Sequence, residues 1–310
     1  MSEAVTVRRA LAQSGLVPVD AHALLGHVLG RNRAWLSAHG DDLLDVAQAG
    51  VFFGLAKRRR DGEPVAYLTG TREFWGLALA VSPAVLIPRP ETETLVELAL
   101  ARLPVDRPSR VLDLGTGSGA IALALAHERP LANVLATDAS ADALAVARGN
   151  AARLGFGNVA FALADWYSGL PADSRTDSPT DSLTASQTAS QTEPHADSPP
   201  HRNADPIARF DLIVSNPPYV ASHDPHLAEG DLRYEPASAL AAGIDGLAAL
   251  RAIIAGAPGR LVPGGTLAVE HGHDQGDAVR GLFAAAGFAD VVASRDLAGI
   301  SRVVAGRTLP

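Results

Sequence analysis

Two periods of apolar residues divide the chain. Up to about residue 60 they recur at helical spacing. Val7, Ala10, Leu11 and Ser14 share one face, and Asp20 is placed to cap a helix carrying Ala23, Leu24, His27 and Val28. A third helical stretch ends at Lys57-Arg58-Arg59-Arg60, where cations suit the negative end of a helix. Glu73 to Val81 alternates and predicts a short hairpin. Val85 to Glu93 carries Pro88 and Pro90, which predict an extended connector. Glu91, Thr92 and Glu93 then begin a helix carrying Leu95, Val96, Leu98 and Leu100.

From Arg110 onward strand and helix patterns alternate. Strands are predicted at 111–114, 134–137, 159–164, 210–215 and 265–270, with a terminal pair at 288–292 and 302–305. Helices are predicted at 120–128, 141–154, 247–257 and 275–286. Such alternation builds an α/β fold, a Rossmann-like and mostly parallel seven-stranded sheet with helices on both faces. A small helical domain with its hairpin, 1–85, then precedes a sheet domain, 86–310.

Residues 172–208 interrupt the second domain. They are rich in Ser, Thr, Asp, Pro and Gln, and six acids against two arginines leave them strongly negative. Leu183 and Ile207 are their only large aliphatics. So little apolar surface does not offset the entropy of ordering, and disorder is predicted.

Composition narrows the chemistry. The 310 residues contain no cysteine, which removes disulfides, thiolate nucleophiles and cysteine metal sites. The only lysine is Lys57, so Schiff-base chemistry and a Gly-Lys phosphate loop are poorly served. The formal charge of −8 argues against a general polyanion binder. Its basic cluster, 57–60, reads as a solvated helix end or as a patch for an acidic or RNA-bearing partner. No metal site is expected: His22 and His27 are badly spaced, His195 and His201 lie in the insert, and His271-Gly-His273 lacks a third ligand. With no apolar run of membrane length and no signal-peptide core, the cytoplasm is the expected location.

In a parallel sheet, ligands bind beyond the carboxyl ends of the strands. Four features fall there: Gly115-Thr116-Gly117-Ser118-Gly119, Asp138, Asp165-Trp166 and Asn216-Pro217-Pro218-Tyr219. Gly115-x-Gly117-x-x-Ala120 fits a loose dinucleotide loop, but Asp113-x-Gly115-x-Gly117-x-Gly119 fits better one that cradles S-adenosylmethionine. Asp138 would then accept the ribose hydroxyls, and Asp165 and Trp166 would flank the adenine. Helix capping by Asp138 and Asp165 and a core place for Trp166 are the alternatives.

Asn216-Pro-Pro-Tyr219 suits a planar nitrogen as methyl acceptor. Such a nitrogen is a poor nucleophile, because its lone pair is delocalised. The Asn216 side-chain oxygen and the Pro217 carbonyl can hold its two hydrogens while Tyr219 stacks on the flat group. The nitrogen is thereby positioned for in-line attack on the sulfonium methyl. Asn216, Pro217 and Tyr219 are thus the candidate catalytic residues, with Pro218 completing the grip. The motif alone does not choose between glutamine and adenine.

Leu112 to Leu125, Ile213 to Tyr219, Leu86-Ile-Pro-Arg-Pro-Glu-Thr-Glu93 and Glu270-His-Gly272 together resemble the bacterial protein-(glutamine-N5) methyltransferases of peptide chain release factors. The likeness covers nearly the whole chain and lapses in the insert. It implies a class I S-adenosylmethionine-dependent methyltransferase fold, with the glutamine of the Gly-Gly-Gln motif in class I release factors as acceptor. By position, Gly115 to Gly119, Asp138, Trp166 and Asn216 would bind S-adenosylmethionine, and Asn216 to Tyr219 would grip the glutamine. The helical domain would dock the release factor. A monomer is expected, without membrane or direct nucleic-acid contact. Residues 1–85 carry nine basic and eight acidic side chains, a balance that disfavours an adenine-methylating rival. A nicotinamide-dependent rival leaves the proline tip without a role.

Overall fold

The computed structural model describes residues 5–170 and 209–310. The insert at 172–208, with the disorder expected of it, lies outside the described residues. The chain divides into two compact units: Met1–Arg89 with Pro218–Leu247, and Pro90–Pro217 with Ala248–Pro310.

In the first unit, helices α1 (Val7–Gln13), α2 (Pro18–Leu29), α3 (Arg33–Ala38), α4 (Val46–Arg60) and α5 (Val65–Thr69) precede a hairpin of β1 (Thr71–Phe74) and β2 (Leu77–Ala80). Local chemistry sets the helix starts. Thr6 caps α1 by accepting the Arg9 N–H, and Asp45 with Gln48 forms a reciprocal capping box on α4. The core of this unit gathers Val7, Ala10, Leu24, Leu25, Leu36, Leu44, Phe52 and Leu68.

Asp20 does not cap α2. The helix begins earlier, with Pro18 in its first turn, where a missing N–H costs nothing. The Asp20 carboxylate instead receives Arg59 Nε at 2.7 Å. The buried stripe of α2 is correspondingly Ala21, Leu24 and Leu25, while Ala23 and His27 are exposed. Three of the four cations of 57–60 meet acids within the unit, Lys57 with Asp61, Arg58 with Glu63 and Arg59 with both Asp20 and Asp231, while Arg60 donates to the Ser14 carbonyl. That pattern favours a neutralised helix end over a free basic patch.

Residues 218–247 belong to this unit and are fastened to it. Tyr234 Oη donates to the Asp61 carbonyl at 2.9 Å, and the Glu235 carboxylate pairs with Arg89 and accepts the Ile87 N–H. Burial pushes the Glu235 carboxyl above its usual range, and Arg89 opposes that shift.

The second unit runs α6 (Glu93–Leu100), β3 (Ser109–Leu114), α7 (Ala120–Glu128), β4 (Ala132–Asp138), α8 (Ala141–Leu154), β5 (Val159–Leu163), β6 (Phe210–Ser215), α9 (Ala248–Gly256), β7 (Leu261–Glu270), α10 (Gly276–Ala285), β8 (Ala289–Arg295) and β9 (Ser301–Arg307). Its seven strands are ordered β5-β4-β3-β6-β7-β9-β8, and only the β7–β9 and β9–β8 pairs are antiparallel. The expected architecture is therefore present. β7 starts earlier than its apolar pattern indicates, because Pro263-Gly264-Gly265 hides the strand signal. β3 and β6 are almost wholly buried, as strands covered on both faces must be.

Strand order reverses between β3 and β6, which creates a switch point. The register there is level: Leu114 faces Thr137 on one side and Ser215 on the other, and Ser215 faces Val269. The residues that follow these strands therefore share one rim.

One packing contact beside that rim follows from a missing side chain. After β5 the chain makes a tight turn, with Asp165 and Ser168 exchanging backbone hydrogen bonds of 3.0 and 2.9 Å. Tyr167 anchors it by donating from Oη to the Ile253 carbonyl at 2.8 Å. The Tyr167 ring fills the space that Gly256 leaves, where a Cβ would stand 2.4 Å from Cδ2. Gly256→Ala is thus expected to displace Tyr167 at about 1–3 kcal/mol, as overpacking does. A lowered melting temperature, with far-ultraviolet circular dichroism unchanged, is the expected readout.

Candidate functional site

The turn after β3 is held from below and open above. Thr116 N–H donates to the Thr137 carbonyl at 2.8 Å, and Thr116 Oγ1 donates to Asp113 Oδ2 at 2.6 Å. Asn150, on the buried stripe of α8, donates from Nδ2 to the Ser118 carbonyl at 2.9 Å. Gly117 has φ +56°, a left-handed conformation that favours glycine, and a Cβ there would meet nothing within 4 Å. Space therefore lies over the loop, next to backbone rather than side chains.

Asp138 at the end of β4 is oriented by two backbone donors. Gly117 N–H reaches Oδ2 and Ser140 N–H reaches Oδ1, both at 2.9 Å. A carboxylate accepts about four hydrogen bonds in all, so each oxygen keeps capacity for a ligand hydroxyl. Ser140 is the residue that caps α8, by accepting the Ala143 N–H, which removes the capping alternative for Asp138.

Asp165 is exposed, and Trp166 is half-buried. Trp166 has φ 49°, which a bulky residue adopts only at a cost of order 1–3 kcal/mol. Its indole edge lies against the glycine loop, with Cζ3 at 3.6 Å from where a Gly115 Cβ would be. Residues far apart in sequence thus form one surface of open loop, aromatic edge and fixed carboxylate.

Asn216 stands at the end of β6, followed by buried Pro217. Its Nδ2 donates to Thr92 Oγ1 at 3.0 Å. Its Oδ1 is buried and has no hydrogen-bond partner among the described residues. A buried acceptor left unsatisfied costs about 1–3 kcal/mol. Pro218 and Tyr219 group with the first unit.

Two further buried polar groups stand at these strand ends. Burial pushes the Asp113 carboxyl up to about 7, against the opposing bond from Thr116. His271 follows β7 fully buried, and its Nδ1 lies 2.7 Å from the Gly272 carbonyl, so Nδ1 carries the proton. Burial holds its imidazole below its usual pKa, in the neutral form.

Sequence reasoning missed Thr92, Asn150 and Tyr167 as parts of the site. Asn150 carried a signal, since it is the polar member of an apolar stripe with Ala143 and Ala147. Thr92 lies in the Leu86–Glu93 motif, but its contact with Asn216, 124 positions away, carried no signal.

Comparison with known proteins adds the following. A family model described as the PrmC N-terminal domain matches residues 6–70, and one described as a methyltransferase domain matches residues 106–270. A protein of Bordetella pertussis named release factor glutamine methyltransferase is 50% identical over 296 residues, covering 96% of this chain and 97% of its own length. The Escherichia coli K12 protein of the same name is 46% identical over 288 residues, covering 93% and 91%. A crystal structure of a release factor-specific protein-(glutamine-N5) methyltransferase from Alicyclobacillus acidocaldarius is 29% identical, with a TM-score of 0.40, covering 75% of this chain and 100% of that one.

The buried Asp113 makes a pH-dependent prediction. Its folded pKa is raised, so it favours folding below the ordinary carboxylate range, and that contribution is lost as pH rises from about 4 through about 7. Asp113→Asn removes the titration. Its deficit in melting temperature relative to the parent is expected to narrow as pH rises across that window, and a pH-independent deficit would contradict the assignment.

Proposed function

The chain belongs to the release factor glutamine methyltransferase family, and we propose that it methylates the N5 amide nitrogen of the Gly-Gly-Gln glutamine in class I release factors. The observation that carries the site assignment is the buried, unpartnered Asn216 Oδ1 at the switch point.

S-adenosylmethionine, when bound, supplies the methyl group as an activated sulfonium substituent. The cradle fits it. The open side of the glycine loop at Gly115 to Gly119 suits backbone approach, the Asp138 carboxylate suits the ribose hydroxyls, and Trp166 with Asp165 suits the adenine. Asp138 and Asn216 follow strands two positions apart, roughly 10 Å across the sheet at the usual strand spacing. That span suits an adenosyl ligand lying across the rim.

On the acceptor side, Asn216 Oδ1 and the Pro217 carbonyl accept the two N–H hydrogens of the glutamine amide. This fixes the nitrogen and favours the positive charge that develops on it as the methyl arrives. Methyl transfer would leave neutral S-adenosylhomocysteine, and the proton the nitrogen sheds would pass to water, since neutral Asn216 is too weak a base to take it. Tyr219 stacks on the amide plane and Pro218 stiffens the turn. Residues 1–85 dock the release factor, and their near balance of nine basic and eight acidic side chains suits a protein partner better than nucleic acid. The enzyme works in the cytoplasm as a monomer. Among the described residues, no helix is long and apolar enough to cross a membrane.

Asn216→Ala is expected to lower turnover about 10²–10³-fold, the usual effect of removing one preorganised polar contact, while calorimetry still registers S-adenosylmethionine. Incubation with release factor and labelled cofactor, then peptide mass mapping, is expected to place the methyl on glutamine. Methylation of another residue would refute the acceptor assignment.

A further inference from the structure

The Asn216 amide has two faces of opposite polarity, and only one serves an incoming N–H. An amide free to rotate would present its NH2 to the substrate in part of the population, and two donors would then face each other. Something must select the orientation. The one hydrogen bond described for this side chain runs from Nδ2 to Thr92 Oγ1, at 3.0 Å. Thr92 is 4% exposed, so water does not compete well for that bond. It lies in the 3₁₀ turn Pro90–Thr92 that leads into α6, and α6 packs on β6 and β7. The hydroxyl is therefore carried on a backbone tied to the same sheet as Asn216.

We propose that Thr92 is a positioning residue that sets the polarity of the acceptor clamp. By occupying the Asn216 NH2 group, it leaves Oδ1 as the face offered to the substrate. The side chain's donor capacity is spent inside the protein and its acceptor capacity is kept for the ligand. The clamp thereby demands a group that brings hydrogens, such as a primary amide, and disfavours its carboxylate counterpart. This role rests on the reading of Asn216 as the acceptor grip. Thr92 acts through Asn216 and does not itself touch the reacting atoms.

The test is a kinetic cycle with Thr92→Val, which keeps the shape and removes the hydroxyl, and Thr92→Ser, which keeps the hydroxyl. Single-turnover methyl transfer from radiolabelled S-adenosylmethionine to release factor is measured for each, together with cofactor affinity by calorimetry. Thr92→Val is expected to slow transfer about 10- to 100-fold with cofactor affinity nearly unchanged, and Thr92→Ser to stay within about threefold of the parent. In the Asn216→Ala background Thr92→Val is expected to add nothing, since residues that act as one unit are not additive. Multiplying losses in the double variant would overturn the proposal, as would a Ser variant as slow as the Val variant. Normal transfer by Thr92→Val beside a crippled Asn216→Ala would overturn Thr92 alone and leave the clamp standing. Normal transfer by Asn216→Ala would remove the clamp itself. If Thr92→Val does not fold, Thr92→Ala carries the same cycle.

Discussion

The site depends on the register of three parallel strands. Leu114 faces Thr137 and Ser215 at once, so the glycine turn, Asp138 and Asn216 leave the sheet at one level. A slip of one residue would shift one of them by about 3.3 Å along the strand and turn its side chain to the other face. Because β3, β4 and β6 are mostly buried on both faces, burial alone resists such a slip only weakly. Ser215 adds a polar lock, because its Oγ donates to the Leu114 carbonyl at 2.7 Å within the core. The same bond therefore ties together the strand ends that lead into the glycine turn and into Asn216.

At that level the chain accepts features that cost stability. Asp113 is a buried carboxyl with a raised pKa, His271 is a buried neutral imidazole, Asn216 keeps an unsatisfied oxygen, and Trp166 sits in the left-handed region. Unfavourable polar burial of this kind is expected where groups must be held for a ligand rather than for the fold. The contrast between Asp113 and Asp138 is instructive. Asp113 is turned into the core and bonded to Thr116, whereas Asp138 is half-exposed and aimed by two backbone N–H groups. Similar carboxylates at neighbouring strand ends thus have separate tasks, one supporting the turn and one available to a ligand.

Much of the fold was legible because the second unit obeys local rules. α7 and α8 occupy the spans their patterns predict, with glycine before one and after the other, and β6 runs from Phe210 to Ser215 as its apolar run indicates. Ambiguity entered where tertiary partners outrank local preference. Asp20 looks like a cap but is drawn to Arg59 on α4, and the first turn of α2 makes do with Pro18. The strand-end places of the candidate site residues were legible, since a parallel sheet gathers such ends. Their second partners were not. The bonds from Asn216 to Thr92 and from Asn150 to Ser118, and the fit of Tyr167 over Gly256, join residues whose spacing carries no periodic signal.

A clamp made only of acceptors recognises a planar NH2 group, and both glutamine and adenine present one. As proposed, the grip suits N-methylation but leaves the choice of substrate to other parts of the chain. Pro218–Leu247, which begins with the last two residues of the Asn216–Tyr219 motif, groups with the N-terminal helices and not with the sheet from which it emerges. It is held there by ion pairs and hydrogen bonds of Asp231, Tyr234 and Glu235 with Arg59, Asp61 and Arg89. A change that loosens Glu235 or Arg59 acts on the segment that follows Pro217, without altering the glycine turn or Asp138.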